Sequence, residues 1–177
     1  MRPSHPHARS LVAVGIPALV VTLGVGGALV MAPRRDGPLV ATSTLSVEFE
    51  LPPGRAGTWG IVLPTNPTLS DITIQAVETV DARGVHVVGM LVNDPEQNGG
   101  VGTLDVYPPP GVRGYPVAGA VLPAIGSDAP FRQLLIGVRL SEAAEGVIGA
   151  LRVRYRHAGA SYEASLPYIL HLRRSEP

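Results

Sequence analysis

The chain has 177 residues, enough for one domain of ordinary size and a short additional segment. Its 14 basic residues balance 14 acidic ones, and charged residues make up 16% of the chain, so nothing in the composition indicates the basic face that a nucleic-acid-binding protein needs, and we predict no nucleic-acid partner. The absence of cysteine excludes disulfides, thiolate metal sites, thiol redox chemistry and cysteine nucleophiles.

After a short N-terminal tail, residues 1–10, the chain enters an apolar run at residues 11–32 that has no ionisable side chain. As a helix this run would be about 33 Å long, which matches the hydrocarbon core of a bilayer. It therefore predicts a transmembrane helix in contact with lipid. A cleaved signal peptide is the alternative, but the run is longer than a usual signal sequence, and Pro33 follows its best cleavage site.

Arginines flank the predicted helix on both sides, with Arg2 and Arg9 before it and Arg34 and Arg35 after it. The α-amino group and the two histidines of the tail favour a cytoplasmic N-terminus, although the second arginine pair argues the other way. We expect a single-pass protein of the cell membrane with its C-terminal domain outside the cytoplasm.

Small residues within the helix could let two such helices approach closely. Gly24 and Ala28 form a small-xxx-small pair, and Gly27 lies beside it. These three residues are the candidates for helix packing. The alternative is that glycine is simply frequent in transmembrane helices.

Beyond a predicted linker, residues 33–38, the hydrophobic pattern changes to a period of two, which indicates half-buried strands. Predicted strands cover residues 45–51, 59–63, 71–80, 85–92, 102–107, 134–140, 147–156 and 162–172. The nearly continuous apolar run at 85–92 predicts a central strand buried on both faces. Residues 39–174 are therefore expected to form an all-β domain, an immunoglobulin-like antiparallel sandwich of two sheets and about seven strands, followed by a short tail at 175–177.

The last two predicted strands form a β-hairpin around a turn at 157–160. The inward set is Leu151, Val153 and Tyr155, and the outward set is Arg152, Arg154 and Arg156. Three guanidinium groups about 7 Å apart on one face repel one another unless an acid lies opposite. A cross-strand acid such as Glu163 is one candidate, and contact with an acidic partner or with lipid headgroups is the other.

A segment rich in proline and glycine, residues 107–130, separates two groups of predicted strands. Its composition favours a stiffened crossover between the two sheets. A ligand groove or a polyproline motif for a partner is the alternative.

No catalytic, cofactor-binding or metal-binding motif is present in the sequence. The histidines of the domain, His86, His157 and His171, are widely separated, and the oxygen-rich loop at 93–99 lacks the spacing of a calcium loop. We therefore predict no catalytic residue, no cofactor and no metal, and a protein that is not an enzyme.

Residues 71–92 and the closing sequence LRVRYRHAGASY at 151–162 resemble uncharacterised single-pass membrane proteins of actinobacteria that carry an extracytoplasmic immunoglobulin-like sandwich. The spacing of Tyr155, Gly159 and Tyr162 carries most of this resemblance, which covers about half of the chain. It implies a fold and a location and transfers no activity.

Together these features predict a binding or scaffolding module of the cell envelope. A sandwich edge or the proline-rich segment would contact an envelope protein. An accessory subunit of a larger membrane complex is the first alternative. A metal carrier or an enzyme is the second, and it would require His86, His157 and His171 to converge with acidic side chains.

Overall fold

The computed structural model describes residues 32–127 and 131–175. The predicted transmembrane helix, apart from its final residue Ala32, lies outside these residues, as do its packing candidates Gly24, Gly27 and Ala28. Within the two described ranges, no helix is long and apolar enough to cross a membrane.

The described chain consists of twelve β-strands and one short helix, which confirms the all-β prediction. In chain order the elements are β1 (Leu45–Leu51), β2 (Gly57–Val62), β3 (Ile72–Val80), β4 (Val85–Asn93), α1 (Pro95–Asn98), β5 (Thr103–Leu104), β6 (Tyr115–Pro116), β7 (Val121–Leu122), β8 (Gln133–Leu140), β9 (Glu145–Ile148), β10 (Ala150–His157), β11 (Ala160–Leu166) and β12 (Tyr168–Arg174).

These strands form three hydrogen-bonded sheets that pack as a sandwich. The three-stranded sheet has the order β1-β12-β9, the four-stranded sheet β11-β10-β3-β7 and the five-stranded sheet β5-β2-β8-β4-β6. One hydrophobic core joins all three sheets. It includes Trp59 from the five-stranded sheet, Tyr155 from the four-stranded sheet and Leu170 from the three-stranded sheet, each fully buried.

The predicted closing hairpin is present, but it extends across two sheets. Its turn end pairs β10 with β11 in the four-stranded sheet, and its other end pairs β9 with β12 in the three-stranded sheet. The change of sheet occurs at Gly149 on one arm and at Pro167 on the other. Proline has no N–H for a ladder and glycine tolerates a bend, so these residues place the corner.

The structure has twelve strands where about seven were predicted, for two physical reasons. Each arm of the closing hairpin divides into two strands at the corner, although its hydrophobic alternation continues. In addition, β6 and β7 were not predicted, because each contains two residues, too few to show a period in the sequence. β5 covers only two residues of the strand predicted at 102–107.

One pair of strands departs from the predicted antiparallel arrangement. β1 pairs with β12 in parallel, from Leu45 opposite Tyr168 to Leu51 opposite Arg174. A hydrophobic pattern shows which face of a strand is buried and does not show the direction of its neighbour, which explains the difference.

The prediction that residues 85–92 form the strand buried on both faces is wrong. The first half of β4 is largely exposed, because β6 pairs only with Leu91 and Val92 and leaves the rest of that edge open. The central strand is β8, which lies between β2 and β4 and is buried at every residue except Arg139.

The proline-rich segment crosses between sheets, which confirms the crossover interpretation. β5 and β6 lie on opposite edges of the five-stranded sheet, and β7 lies in the four-stranded sheet. Between β5 and β6 the segment covers the outer face of the five-stranded sheet, where the ring of Tyr107 packs on the paired glycines Gly89 and Gly137. Burial there raises the pKa of Tyr107 above its usual value of 10.0.

Candidate functional site

The arginine row of β10 faces two acidic side chains on neighbouring strands. Arg152 lies 3.7 Å from Glu78 and 3.5 Å from Glu163. Arg154 lies 3.3 Å from each of the same two carboxylates. Glu163 is the cross-strand acid that the sequence suggested. Glu78 could not be identified as a partner from the sequence, because its position opposite Arg152 depends on the pairing of β3 with β10. Two positive and two negative charges cancel, so this part of the row is electrically neutral.

Arg156, the third member of the row, lies apart from this cluster. Its side chain is exposed at the turn end of β10, and it forms no ion pair with any residue in the described ranges. Arg156 is therefore the arginine of the row whose charge is balanced by no acid among the described residues.

The three histidines of the domain belong to three different sheets. His86 lies in β4, His157 at the end of β10 and His171 in β12. The Nε2 of His157 is 2.8 Å from the hydroxyl oxygen of Ser70. Across residues 32–127 and 131–175, no group of three or more histidine and acidic side chains is placed to hold a metal ion.

The oxygen-rich loop at 93–99 is a polar loop built around α1. Asp94 caps this helix by accepting a hydrogen bond from the backbone N–H of Glu96 at 3.1 Å. The other carboxylate oxygen accepts from the Gln97 amide at 3.1 Å and lies 3.5 Å from Arg132. Both oxygens of Asp94 are therefore occupied by donors of the chain itself.

Residues 33–41, which we term the entry segment, connect the N-terminal part of the chain to β1 and pack against β11. Arg34 forms a parallel bridge with Tyr162. Its N–H donates to the carbonyl of Ser161 at 3.0 Å, and its carbonyl accepts from the N–H of Glu163 at 2.7 Å. The first residues of the predicted linker thus extend the four-stranded sheet by one short parallel bridge.

Tyr155 connects the entry segment to the core. The backbone N–H of Leu39 donates to the hydroxyl oxygen of Tyr155 at 3.1 Å, and both side chains are buried. The ring of Tyr155 stacks on Tyr162 with centroids 5.5 Å apart. Burial raises the pKa of Tyr155, and the hydrogen bond from Leu39 partly opposes this shift. Gly37 packs against both tyrosines, where no Cβ would fit.

A groove of about 610 Å³ lies between the entry segment and β11, and we term it the β11 groove. Its lining residues are Arg35, Gly37, Leu39, Val40, Ala41, Val80, Arg152, Glu163, Ala164, Ser165 and Pro167. One wall is apolar, and Val40 there is 66% exposed. The other wall carries the ion pair of Arg152 and Glu163, so a predicted contact residue, Arg152, borders the groove.

The edge of β11 is open inside this groove. Backbone groups of alternate residues point to the same side of a strand. Those of Ser161 and Glu163 point toward Arg34, so those of Ser165 point into the groove. No backbone group in the described part of the chain pairs with Ser165 on this side. The β11 groove therefore offers an unpaired strand edge beside an apolar wall.

This groove was not predicted, because its two walls come from segments more than 120 positions apart in the sequence, Val40 and Ser165. The entry segment is rich in proline, glycine and charge, which indicated only a linker.

No protein-family model matches the chain, and no curated protein matches it in sequence. The β11 groove is therefore interpreted from its own chemistry.

Proposed function

We propose that this protein is a membrane-anchored, extracytoplasmic β-sandwich module that binds a protein of the cell envelope. The partner contributes an extended, mainly apolar segment, which pairs with the open edge of β11. Strand addition of this kind takes its affinity from main-chain hydrogen bonds and its specificity from the side-chain pockets beside the strand. The module acts by binding and carries out no catalysis.

The anchor in this proposal is the apolar run at 11–32, with a cytoplasmic N-terminus. Its support is the length of the run, the absence of ionisable side chains within it and the position of Pro33. The contacts of the entry segment leave little chain between this predicted helix and the domain. Because Arg34 and Leu39 are bonded into the sandwich, only Pro33 separates Ala32, the last residue of the predicted helix, from Arg34, the first bonded residue of the domain.

The open edge at Ser165 is the observation that carries the binding function. Exposed strand edges usually carry charges, prolines or covering segments that prevent pairing with another chain. Here the entry segment covers β11 at Ser161 and Glu163 and then diverges, leaving an apolar wall opposite Ser165. The ion pair of Arg152 and Glu163 adds no net charge, and Arg35 is the one further charged residue of the lining, which favours an apolar or mixed partner segment over a strongly charged one.

We also assign the sandwich to the immunoglobulin-like class. Trp59 is fully buried in the core between the sheets, as a tryptophan is in many such domains. The parallel pair β1–β12 and the separation of the strands into three hydrogen-bonded sheets are departures from the simplest form of that class.

The binding proposal is tested by changing the backbone of Ser165 in the full-length chain. Ser165→Pro removes the N–H that points into the groove and places a ring in the path of a pairing strand, whereas Ser165→Ala keeps the N–H. A photo-crosslinking residue at Val40, on the facing wall, reports occupancy of the groove in cells. We expect one discrete adduct that the proline variant loses and the alanine variant keeps.

Two controls make this outcome specific. The same crosslinking residue at Val88, which is exposed on β4 of the five-stranded sheet and does not line the groove, should not form that adduct. The emission of Trp59, the single tryptophan, should show that Ser165→Pro remains folded. If no adduct forms at Val40, or if it is insensitive to Ser165→Pro, the groove is not a binding site of this kind.

An accessory subunit of a larger membrane complex remains the alternative proposal, in which the helix face of Gly24, Gly27 and Ala28 would contribute the contacts. Purification in mild detergent separates the two proposals. A subunit migrates with its complex whether or not Ser165 is changed, whereas a module that binds through the β11 groove loses its partner in the Ser165→Pro variant.

A further inference from the structure

Three large apolar side chains are exposed together at one end of the sandwich. Leu69 is 91% exposed, Ile125 53% and Phe131 55%. Single exposed apolar residues are normal on a soluble surface, but a group of them marks a site of contact. We term these three residues the apolar end.

Backbone and side-chain contacts hold the loops of the apolar end next to one another. The N–H of Ile125 donates to the carbonyl of Thr68 at 2.8 Å, which places Leu69 beside Ile125. The N–H of Ala124 donates to the Asp71 carboxylate at 3.0 Å. Ile125 and Phe131 also line one shallow pocket of about 210 Å³. The grouping is therefore a product of the fold.

The apolar end lies at the same end of the four-stranded sheet as the point where the chain enters the domain. The hairpin turn of β10 and β11 is at this end, because His157 contacts Ser70 next to Leu69. The entry segment runs parallel to β11, with Arg34 beside Tyr162, so Ala32 lies toward that turn. The residue at which the predicted transmembrane helix ends thus marks this end of the sandwich.

We propose that the apolar end rests in the interfacial layer of the bilayer and inserts Leu69, Ile125 and Phe131 among the lipid headgroups. This inference depends on the proposed anchor at residues 11–32. Arg34 follows Ala32 by two residues, a span of at most about 7 Å. The headgroup layer is about 6 Å thick on each side, so Arg34 lies within or just above it.

The width of the sheet agrees with this placement. Strands in a sheet are about 4.8 Å apart, so β7, four strand positions from Arg34 on the outer edge of β11, is about 19 Å to the side of the chain entry. In the proposed contact the strands of this sheet stand roughly upright on the membrane, and the turn end of the sheet faces the headgroups.

Arginines are grouped where the chain enters the domain. Arg34, Arg35 and Arg156 are exposed near the hairpin turn together with the acids Asp36 and Asp71, and a third exposed acid, Glu96, lies farther along this end, beside Asp94, which contacts Arg132 next to Phe131. Arginine near an anionic leaflet is attracted to it, and apolar side chains flanked by arginine are typical of interfacial contact. The unpaired Arg156 gains a lipid phosphate as its partner in this arrangement.

The absence of cysteine in the chain allows a direct test. Full-length Leu69→Cys and Ala143→Cys are labelled with a fluorophore and reconstituted in phosphatidylcholine–phosphatidylglycerol vesicles. Ala143 is exposed and lies just beyond the end of β8, whereas Phe131 lies just before its start, so the length of the strand separates the two by about 25 Å. A lipid with a headgroup nitroxide should remove most of the emission of the label at position 69 and leave that at position 143 nearly unchanged.

A second pair of variants separates insertion from mere proximity to the anchor. In the Leu69→Cys background, Ile125→Ser combined with Phe131→Ser should restore much of the emission, whereas Val88→Ser on β4 should not. Equal quenching at positions 69 and 143, or no effect of the serine substitutions, overturns the proposal. So does a label at position 69 that stays unquenched in vesicles of lipid alone, as expected if a protein covers this end.

A separate experiment distinguishes failure of the anchor from failure of the interfacial contact. The unmodified chain is mixed with the same vesicles, extracted with alkaline carbonate and tested for flotation with the lipid. A chain that does not float overturns the anchor and this inference together. A chain that floats while Leu69→Cys remains unquenched overturns the interfacial contact alone.

Discussion

At the scale of single residues, one hydroxyl group joins the entry segment to the core. The Tyr155 oxygen accepts the hydrogen bond of the Leu39 N–H in a site from which water is excluded. A backbone donor buried without a partner costs about 1–3 kcal/mol, more than a hydrogen bond contributes on average. This contact therefore holds the start of the domain against β10 and β11.

Tyr155→Phe should lower the free energy of unfolding by about 1–3 kcal/mol, because it removes the only described acceptor of the Leu39 N–H and leaves that donor buried. Denaturant titration followed by the emission of Trp59 measures the change. Tyr162→Phe is the matched control. The Tyr162 hydroxyl forms no hydrogen bond with a described residue, so the control should change stability by less than about 0.5 kcal/mol. Equal effects of the two variants would contradict the role assigned to Tyr155.

At the scale of elements, glycines opposite each other in β4 and β8 accommodate an aromatic ring from the proline-rich segment. Gly89 pairs with Gly137, and Tyr107 packs on both. A Cβ on Gly137 would lie 2.5 Å from Cδ1 of Tyr107, closer than carbon atoms pack. This contact explains how a segment without regular structure is held across the outer face of the sheet.

Gly137→Ala should destabilise the domain by about 1–3 kcal/mol through overpacking against Tyr107. The same substitution in a Tyr107→Ala background should cost clearly less, since the obstructing ring is gone, and a double-mutant cycle measures this coupling. Gly102→Ala is the control, because open space surrounds that position. Additive effects of the substitutions at 107 and 137 would show that the ring does not occupy this slot.

At the scale of the whole molecule, the three tyrosines with a raised pKa are associated with three different sheets. Tyr107 covers the five-stranded sheet, Tyr155 lies in the four-stranded sheet and Tyr168 in the three-stranded sheet. Burial is the main cause of each shift from the usual value of 10.0. Ionisation of any one of them opposes packing of the sheet to which it belongs.

Stability should therefore fall as the pH rises above 10.0, the value for an exposed tyrosine. A raised pKa means that the folded state retains protons that the unfolded state has lost, so the stabilisation is complete below the unfolded pKa and is lost as the pH rises through the folded one. The chain has no lysine or cysteine, so tyrosine is the side chain that titrates in this range. Denaturant midpoints measured from about pH 8 to about pH 11 should be constant at first and then decrease. Tyrosinate absorbance measures the ionisation of the five tyrosines directly. If all five ionise near their usual pKa in the folded protein, this prediction is wrong.

Much of the fold could be predicted because strands with one buried face have a period of two. That period located the strands of the closing hairpin and placed Leu151 and Val153 inside and Arg152 and Arg154 outside, as the structure has them. The anchor at 11–32 remains a prediction, which rests on the length of the apolar run and its lack of charge and refers to no contact in the described residues.

Contacts between segments far apart in the chain could not be predicted from the sequence. Leu39 contacts Tyr155 across 116 positions, and Val40 faces Ser165 across the β11 groove. The apolar end joins Leu69 and Ile125 through two loops that have no period of their own. A local pattern specifies which face of a strand is buried, whereas pairing, sheet order and strand direction depend on contacts between residues far apart in the chain. For that reason the all-β class of the domain could be predicted from the sequence, and the anchor remains a prediction from it, whereas both candidate surfaces depend on the fold.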